Sequence, residues 1–342
     1  MTQNSSQRAV AWWLFACCAM VFVTMVVGGV TRLTHSGLSI VEWKPLIGAL
    51  PPLSHADWLE LFAKYQQTPE FIKRNHDMTL DGFQFIFWWE WAHRLSGRLI
   101  GVVFFIPYVW FLLRGKLHGM LAAKVFGFFI LGGLQGAMGW YMVKSGLVDD
   151  PRVSQYRLAA HLGLAFILFG LMFWTGLGML QPRSTNRAVA SAPTLTTRLG
   201  NWLVPLVFVM VLSGALVAGI RAGLAYNTFP LMNGHFLPPE SFMVEPWWLN
   251  FFTNMALVQF DHRLIAWALM GLIPWYSWRI WNEFPDARTP AVVLTLWLAV
   301  QVSLGIATLL LQVPVALGAA HQAGAMVLFG LLLWANHSIR RA

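Results

Sequence analysis

The residues best equipped for chemistry lie in one stretch, Trp88 to Gly101, which reads W-W-E-W-A-H-R-L-S-G-R-L-I-G. Glu90, His93, Arg94 and Arg98 stand at the head of an apolar run that continues through Phe104, Phe105, Tyr108, Trp110 and Leu113. On a helix, residues three and four apart stack on one side, so Glu90, His93 or Arg94, and Gly97 share a face. Burying a carboxylate, an imidazole and two guanidiniums unpaired in such surroundings costs several kcal/mol, so they need partners.

Three further histidines stand in matching contexts: His161 in L-A-A-H-L-G (158–163), His262 in Q-F-D-H-R-L (259–264) and His321 in G-A-A-H-Q-A (318–323). Two helices that each offer one imidazole at the same level are the arrangement that grips a b-type haem through both axial positions. The competing reading is that buried membrane histidines are hydrogen-bonded packing residues; the pairing and repetition of all four weigh against it. His35, His55, His76, His118, His235 and His337 lack the pattern and fall in loops or at span ends, where a solvated histidine is the default. Arg94 and Arg263 directly follow their histidines and Arg98 is one turn on. A guanidinium there can pair with a haem propionate, or it can snorkel to the headgroups.

The elements that position these residues are membrane spans. The chain of 342 residues is 57% hydrophobic and only 11% charged, with 19 tryptophans, which is not the composition of a soluble domain. Apolar runs of about twenty residues, each long enough to cross the hydrocarbon core, recur along it. Eight spans are predicted, at 10–30, 84–113, 119–142, 157–180, 200–219, 254–281, 290–312 and 316–336. Pro107, Pro205 and Pro274 fall inside spans, where neighbouring helices can satisfy the freed carbonyls. The first run is too long for a signal-peptide core and lacks a cleavage site, so no separate cleavable signal is expected.

The net charge of +9 does not point to nucleic acid, because the basic residues sit in short loops between spans. Arg8, Arg114 to Lys116, Arg183, Arg187, Arg198, Arg340 and Arg341 gather on one side. Glu42, Asp57, Glu60, Glu70, Asp149, Asp150, Glu240 and Glu245 gather on the other. The positive-inside rule then places both termini in the cytoplasm. The first external loop, about 31–83, mixes aromatics with turn prolines and reads as a small folded cap. Cys17 and Cys18 are adjacent inside the first span; neighbours on a helix point apart, so they read as packing residues.

The chain repeats itself. T-H-S-G-L-S (34–39) is matched by I-R-A-G-L-A (220–225), E-W-A-H-R-L (90–95) by Q-F-D-H-R-L, L-Q-G-A-M-G (134–139) by V-Q-V-S-L-G (300–305), and L-A-A-H-L-G by G-A-A-H-Q-A. Four matches in the same order predict an all-α polytopic membrane protein of two tandem four-helix bundles, residues 1–182 and 183–342, related by a pseudo-two-fold axis along the membrane normal. The four histidines then lie near the external start of spans 2, 4, 6 and 8. The halves differ where it matters most: Glu90 is matched by Gln259, and Ala92 by Asp261. A carboxylate can move a proton or stabilise positive charge, and a glutamine cannot.

With these residues in hand, the chain resembles the haem A synthases, membrane enzymes that turn haem O into haem A for cytochrome c oxidase. The resemblance rests on E-W-A-H-R-L-S-G-R, the partner histidine in L-A-A-H-L-G, their repetition as D-H-R-L and A-A-H-Q-A, and the T-R-L-T-x-S-G-L-S and W-K-P segments after span 1, and it covers essentially the whole chain. It implies that His93 and His161 hold the substrate haem, that His262 and His321 hold a permanent haem b that passes electrons, and that Glu90 is the required acid. The implied reaction oxidises the C8 methyl of the porphyrin to a formyl group. The implied partners are haem O, membrane lipids, an electron donor, the haem O synthase and a second copy of the chain; the implied location is a bacterial inner membrane. Some members carry a cysteine pair in the first external loop. Residues 31–83 contain none, so the resemblance is to the cysteine-free branch. A di-haem quinol-oxidising cytochrome b would use the same four histidines but has no need of the Glu90/Gln259 difference, and it typically places its haems on opposite sides of the membrane. A transporter would show spans interrupted at the midplane.

Overall fold

Long apolar stretches with no competing polar periodicity form helices because a backbone in lipid must satisfy its own hydrogen bonds. A computed structural model describes residues 2–43, 47–146, 151, 153–180 and 194–341. Lys44, Pro45, Leu46, Asp149, Asp150, Arg183, Arg187 and the expected boundary at 182/183 lie outside the described residues. Eight of the described helices are long and apolar enough to cross a membrane. They are α1 (Thr2–Leu33), α4 (Leu80–Leu113), α5 (Gly119–Gly146), α6 (Gln155–Leu180), α7 (Leu195–Gly219), α9 (Met255–Glu283, just after the one-turn α8, Asn250–Thr253), α10 (Arg288–Leu310) and α11 (Val315–Ile339). The expected spans agree to within a few residues except at 10–30, where the helix runs about two turns further toward the N-terminus. Pro107, Pro205 and Pro274 all lie inside helices. Among the described residues there is no strand, only one isolated bridge between Met232 and His235.

The helices close into two rings of neighbours: α1, α4, α5, α6 in one, and α7, α9, α10, α11 in the other. The rings share a seam in which α6 packs on α7 and α11 packs on both α1 and α6. One apolar core runs through both, with Leu14, Phe166, Met172, Leu203, Ile273, Leu294 and Leu332 fully buried. Cys17 and Cys18 are free and buried in it. At the seam, Gly28 and Gly29 let α1 come close to both sides: a Cβ on Gly28 would stand 2.5 Å from His93 Cε1, and one on Gly29 would stand 2.9 Å from Gln322 Oε1. Gln322 returns the contact by donating from Nε2 to the Met25 carbonyl at 3.0 Å.

The segment between α1 and α4 is a folded cap, as its aromatics suggested. Helix α2 (His55–Tyr65) begins at a capping box formed by Ser54 and Asp57, and α3 (Pro69–Arg74) starts on Thr68 with a proline in its first turn; both are standard helix starts. Tyr65, Phe83, Ile86 and Phe87 make a second, smaller core between the cap and the first turns of α4. Those turns explain one difference from the sequence reading. His93 is not near the start of its helix but thirteen residues in, roughly 20 Å along the axis, because α4 begins in the cap. Counted from Phe87, where the cap core ends, His93 is six residues in. His161, His262 and His321 are six or seven residues into α6, α9 and α11.

Candidate functional site

Each of the four imidazoles meets a glycine on a neighbouring helix. A Cβ added to Gly28 on α1, Gly139 on α5, Gly214 on α7 or Gly305 on α10 would approach the Cε1 of His93, His161, His262 or His321 to 2.5, 3.0, 3.1 and 2.8 Å respectively. At these four positions a larger residue would push the ring out of place. His93 and His161 are within electrostatic reach of one another, as are His262 and His321. The structure therefore brings together the pairs that the sequence singles out.

The ring nitrogens are held from behind. His93 Nδ1 meets the Thr24 carbonyl at 3.1 Å, and His262 Nδ1 meets Ser213 Oγ at 2.8 Å. Gln135 and Gln301, matched residues of the repeat, donate from Nε2 to the carbonyls of His161 and His321 at 3.0 and 2.9 Å. The same amides touch the rings themselves, at His161 Nε2 (3.4 Å) and His321 Nδ1 (3.2 Å). At His93, His262 and His321 the partner is on Nδ1, which fixes the ring and leaves Nε2 for iron; at His161 the amide stands at Nε2 and Nδ1 is the buried nitrogen without a partner.

Do these residues fit a haem? Buried polar atoms without partners gather at the pairs: Thr24 Oγ1, Gln135 Oε1 and His161 Nδ1 at the first, Gln301 Oε1 and Arg263 Nε at the second. Orphaned groups in a hydrocarbon setting ask for a ligand. Among the described residues no cluster of three or more His, Cys, Asp or Glu side chains forms a metal cage. Two facing imidazoles are instead the axial set of a haem, so the donor set fits.

Glu90 is only 2% exposed and is fixed by the loop that follows α1. Ser39 Oγ donates to Glu90 Oε2 at 2.7 Å, the Ile40 N–H donates to the same oxygen at 2.8 Å, and Arg94 Nη2 donates to Oε1 at 2.6 Å. Three donors and no acceptor are the surroundings of a carboxylate. Arg94 completes the knot by donating to the Ile40 carbonyl at 2.9 Å and lying 5.7 Å over the Trp43 ring.

The second half builds the same knot with one change of chemistry. Arg263 Nη2 donates to Gln259 Oε1 at 3.0 Å and to the Tyr226 carbonyl at 2.9 Å, while Nη1 reaches the Thr228 carbonyl at 2.9 Å. Ile40 and Tyr226 are matched positions of the repeat, so both arginines clamp the same point of their loop. Gln259, however, donates from Nε2 to the Ala222 carbonyl at 2.8 Å, and Ala225 stands where Ser39 stands in the first half. One half offers donors to an acid; the other offers a carbonyl to an amide.

The chain matches the model of the family described as cytochrome oxidase assembly protein (COX15-CtaA) over residues 11–333. It is 58% identical over 340 residues to a heme A synthase of Nitrosospira multiformis, covering 98% of this chain and 94% of that one. It is 53% identical over 335 residues to a heme A synthase of Nitrosomonas eutropha (97% and 94%) and 46% identical over 342 residues to one of Parvibaculum lavamentivorans (99% and 96%). The chain belongs to this family. The haem A synthase resemblance drawn from its motifs thus holds over nearly its whole length.

The sequence singles out Glu90 and the four histidines as candidates, but not Ser39, the four facing glycines or the two glutamines that the structure sets around them. Ser39 had a signal: the Ser39/Ala225 difference runs in step with Glu90/Gln259. Arg94 and Arg263, expected to face a propionate or the headgroups, are turned onto loop carbonyls, with the Nε of Arg263 left over. Arg98 lies half-buried one turn below Arg94. Asp261 is half-buried on the flank of α9. His337, grouped with the solvated histidines, is 3% exposed and packs edge-on against Trp174 at 5.0 Å. The last turns of α11 are enclosed by α6, which a single-helix reading cannot anticipate.

Proposed function

We propose that the chain oxidises the C8 methyl group of haem O to a formyl group, giving haem A for cytochrome c oxidase. The observation that carries this reading is the asymmetry between two otherwise matching knots: a carboxylate held by Ser39, Ile40 and Arg94 beside one histidine pair, and a neutral amide beside the other. His93 and His161 hold haem O, and residues 1–182 form its bundle. His262 and His321 hold a resident haem b, with residues 183–342 around it, the halves being related by a pseudo-two-fold axis. When bound, haem b supplies a one-electron redox centre beside the substrate site.

The residues of this chain do the rest. The glycines opposite the imidazoles fix where each ring stands, and the amides and carbonyl behind them fix its orientation. Arg94, Arg98 and Arg263 would supply guanidinium donors to the haem propionates, and the Nε of Arg263, buried without a partner, is a donor left for one. Glu90, fixed in place by its three donors, stabilises positive charge that develops at the substrate methyl or takes up a proton released there. The cap closes over this carboxylate through Ser39 and Ile40 and keeps bulk water from it. Both termini face the cytoplasm of a bacterial inner membrane; the haem O synthase, an electron donor and a second copy of the chain are its candidate partners.

Extraction of the haems from the purified protein tests the reading. Haem b together with haem O or haem A is expected. Two equivalents of haem b alone would make the chain an electron-transfer cytochrome instead.

A further inference from the structure

At the end of the bundle opposite the histidine pairs, α6 and α11 finish beside the start of α5. A cleft of about 300 Å³ opens there between them. Its lining includes Lys124, His337, Arg340 and Arg341, and none of the lining residues is acidic. Trp174 forms the floor: Arg340 lies 5.0 Å over its ring and His337 meets it edge-on at 5.0 Å. Arg341 Nη2 donates to the Gly178 carbonyl at 3.1 Å, Arg340 Nη2 donates to Asn201 Oδ1, and Lys124 Nζ lies 6.0 Å over Phe128.

A concentration of cations could be no more than side chains snorkelling toward water. His337 argues for more than that. It is 3% exposed, it lines the cleft, and its Nδ1 is buried without a partner. A snorkelling residue carries its polar atoms out; this one holds a polar atom in, beneath two arginines. An anion in the cleft would meet that nitrogen and the guanidiniums together.

We propose that the cleft binds the phosphodiester headgroup of an anionic phospholipid. The place favours a lipid over a soluble phosphate. The cleft lies at the ends of membrane spans, beside a tryptophan of the kind that marks the headgroup level, and on the side that the positive-inside rule assigns to the cytoplasm. Basic pockets between spans on that side suit anionic headgroups. The acyl chains then lie along the exposed apolar flank of α5, where Phe126 and Ile130 face outward. Through α6 and α11 the headgroup braces the two helices that carry His161 and His321.

The test uses the full chain purified in a non-ionic detergent. Native mass spectrometry with added phosphatidylglycerol or phosphatidylcholine counts the lipid retained, and thermal unfolding in the same detergent checks the fold. Preferential retention of phosphatidylglycerol is expected, falling roughly fivefold for each cation removed in Lys124→Gln and Arg340→Gln, with Lys124→Arg and Arg340→Lys keeping it. His337→Phe, which keeps the ring contact with Trp174 but removes the nitrogen, should also weaken it. Lys124 is exposed at the start of α5, so its variant remains readable if changes at Arg340 or His337 impair folding. Equal retention of the two lipids, or phosphatidylglycerol retention unchanged in Lys124→Gln, overturns the proposal. Displacement by inorganic phosphate without any lipid preference would identify a soluble phosphate as the ligand and overturn the lipid assignment.

Discussion

Ser39 Oγ donates to Glu90 Oε2 across 2.7 Å, from a loop to a helix, and both residues are almost completely buried. The second half of the chain has no such bond, because Ala225 and Gln259 occupy the matched positions. A hydrogen bond to a charged acceptor is worth about 1.5–3 kcal/mol. Ser39→Ala should therefore leave haem O bound while slowing haem A formation by about tenfold to hundredfold, as read from the haem O to haem A ratio in extracts. Ser39→Thr, which keeps the hydroxyl, should restore much of the rate.

The glycines opposite the imidazoles assign the two sites independently of the histidines. Gly28→Ala places a methyl 2.5 Å from His93 Cε1, and Gly305→Ala places one 2.8 Å from His321 Cε1. Overpacking of this kind costs about 1–3 kcal/mol. Chromatography of extracted haems should show Gly28→Ala losing haem O and haem A while keeping haem b, and Gly305→Ala the reverse. Equal loss of both haems in each variant would contradict the assignment.

Arg263 is a loop anchor. Replacing it by Gln leaves the Tyr226 and Thr228 carbonyls without their donor, at about 1–3 kcal/mol for each buried group left unmet. The segment 220–254 should become sensitive to limited proteolysis. Arg263→Lys should not rescue it, because a single ammonium does not reproduce the fork.

Glu70 makes the cap sensitive to pH. It is 3% exposed in α3, where Tyr65 donates to its Oε2 at 3.4 Å. Burial, and then the charge of Glu90, push its carboxyl up to about 7, against the opposing pull of Arg74 and of the Tyr65 hydroxyl. The folded cap therefore holds this proton more tightly than the unfolded chain does. Its contribution to stability is complete below the ordinary glutamate range and is lost as the pH rises through about 7. Hydrogen exchange over 55–74, corrected for intrinsic rates, should show more protection at about pH 5 than at about pH 8. Glu70→Gln should flatten that difference.

The spans, the paired histidines and Glu90 were legible because each is a local signal: a hydrophobic run, a repeated tetrad, a charged residue three positions from a histidine. What the sequence did not disclose depends on which helix faces which. Gly28 and Gly139 read as ordinary small residues until His93 and His161 are seen against them. That Arg94 and Arg263 also engage loop carbonyls is not legible locally, because those carbonyls lie more than thirty residues away along the chain. The early start of α4 is not legible because its first turns belong to the cap, and hydropathy does not separate a cap from a membrane span. The burial of His337 is likewise hidden, because nothing local shows that α6 covers the end of α11.

The most direct test of the whole account is Glu90→Gln. The purified variant is expected to retain haem O and haem b, with unchanged thermal unfolding, and to contain no haem A. Haem A at the wild-type level would show that the acid is not needed and that the difference between the two halves does not mark the reactive site.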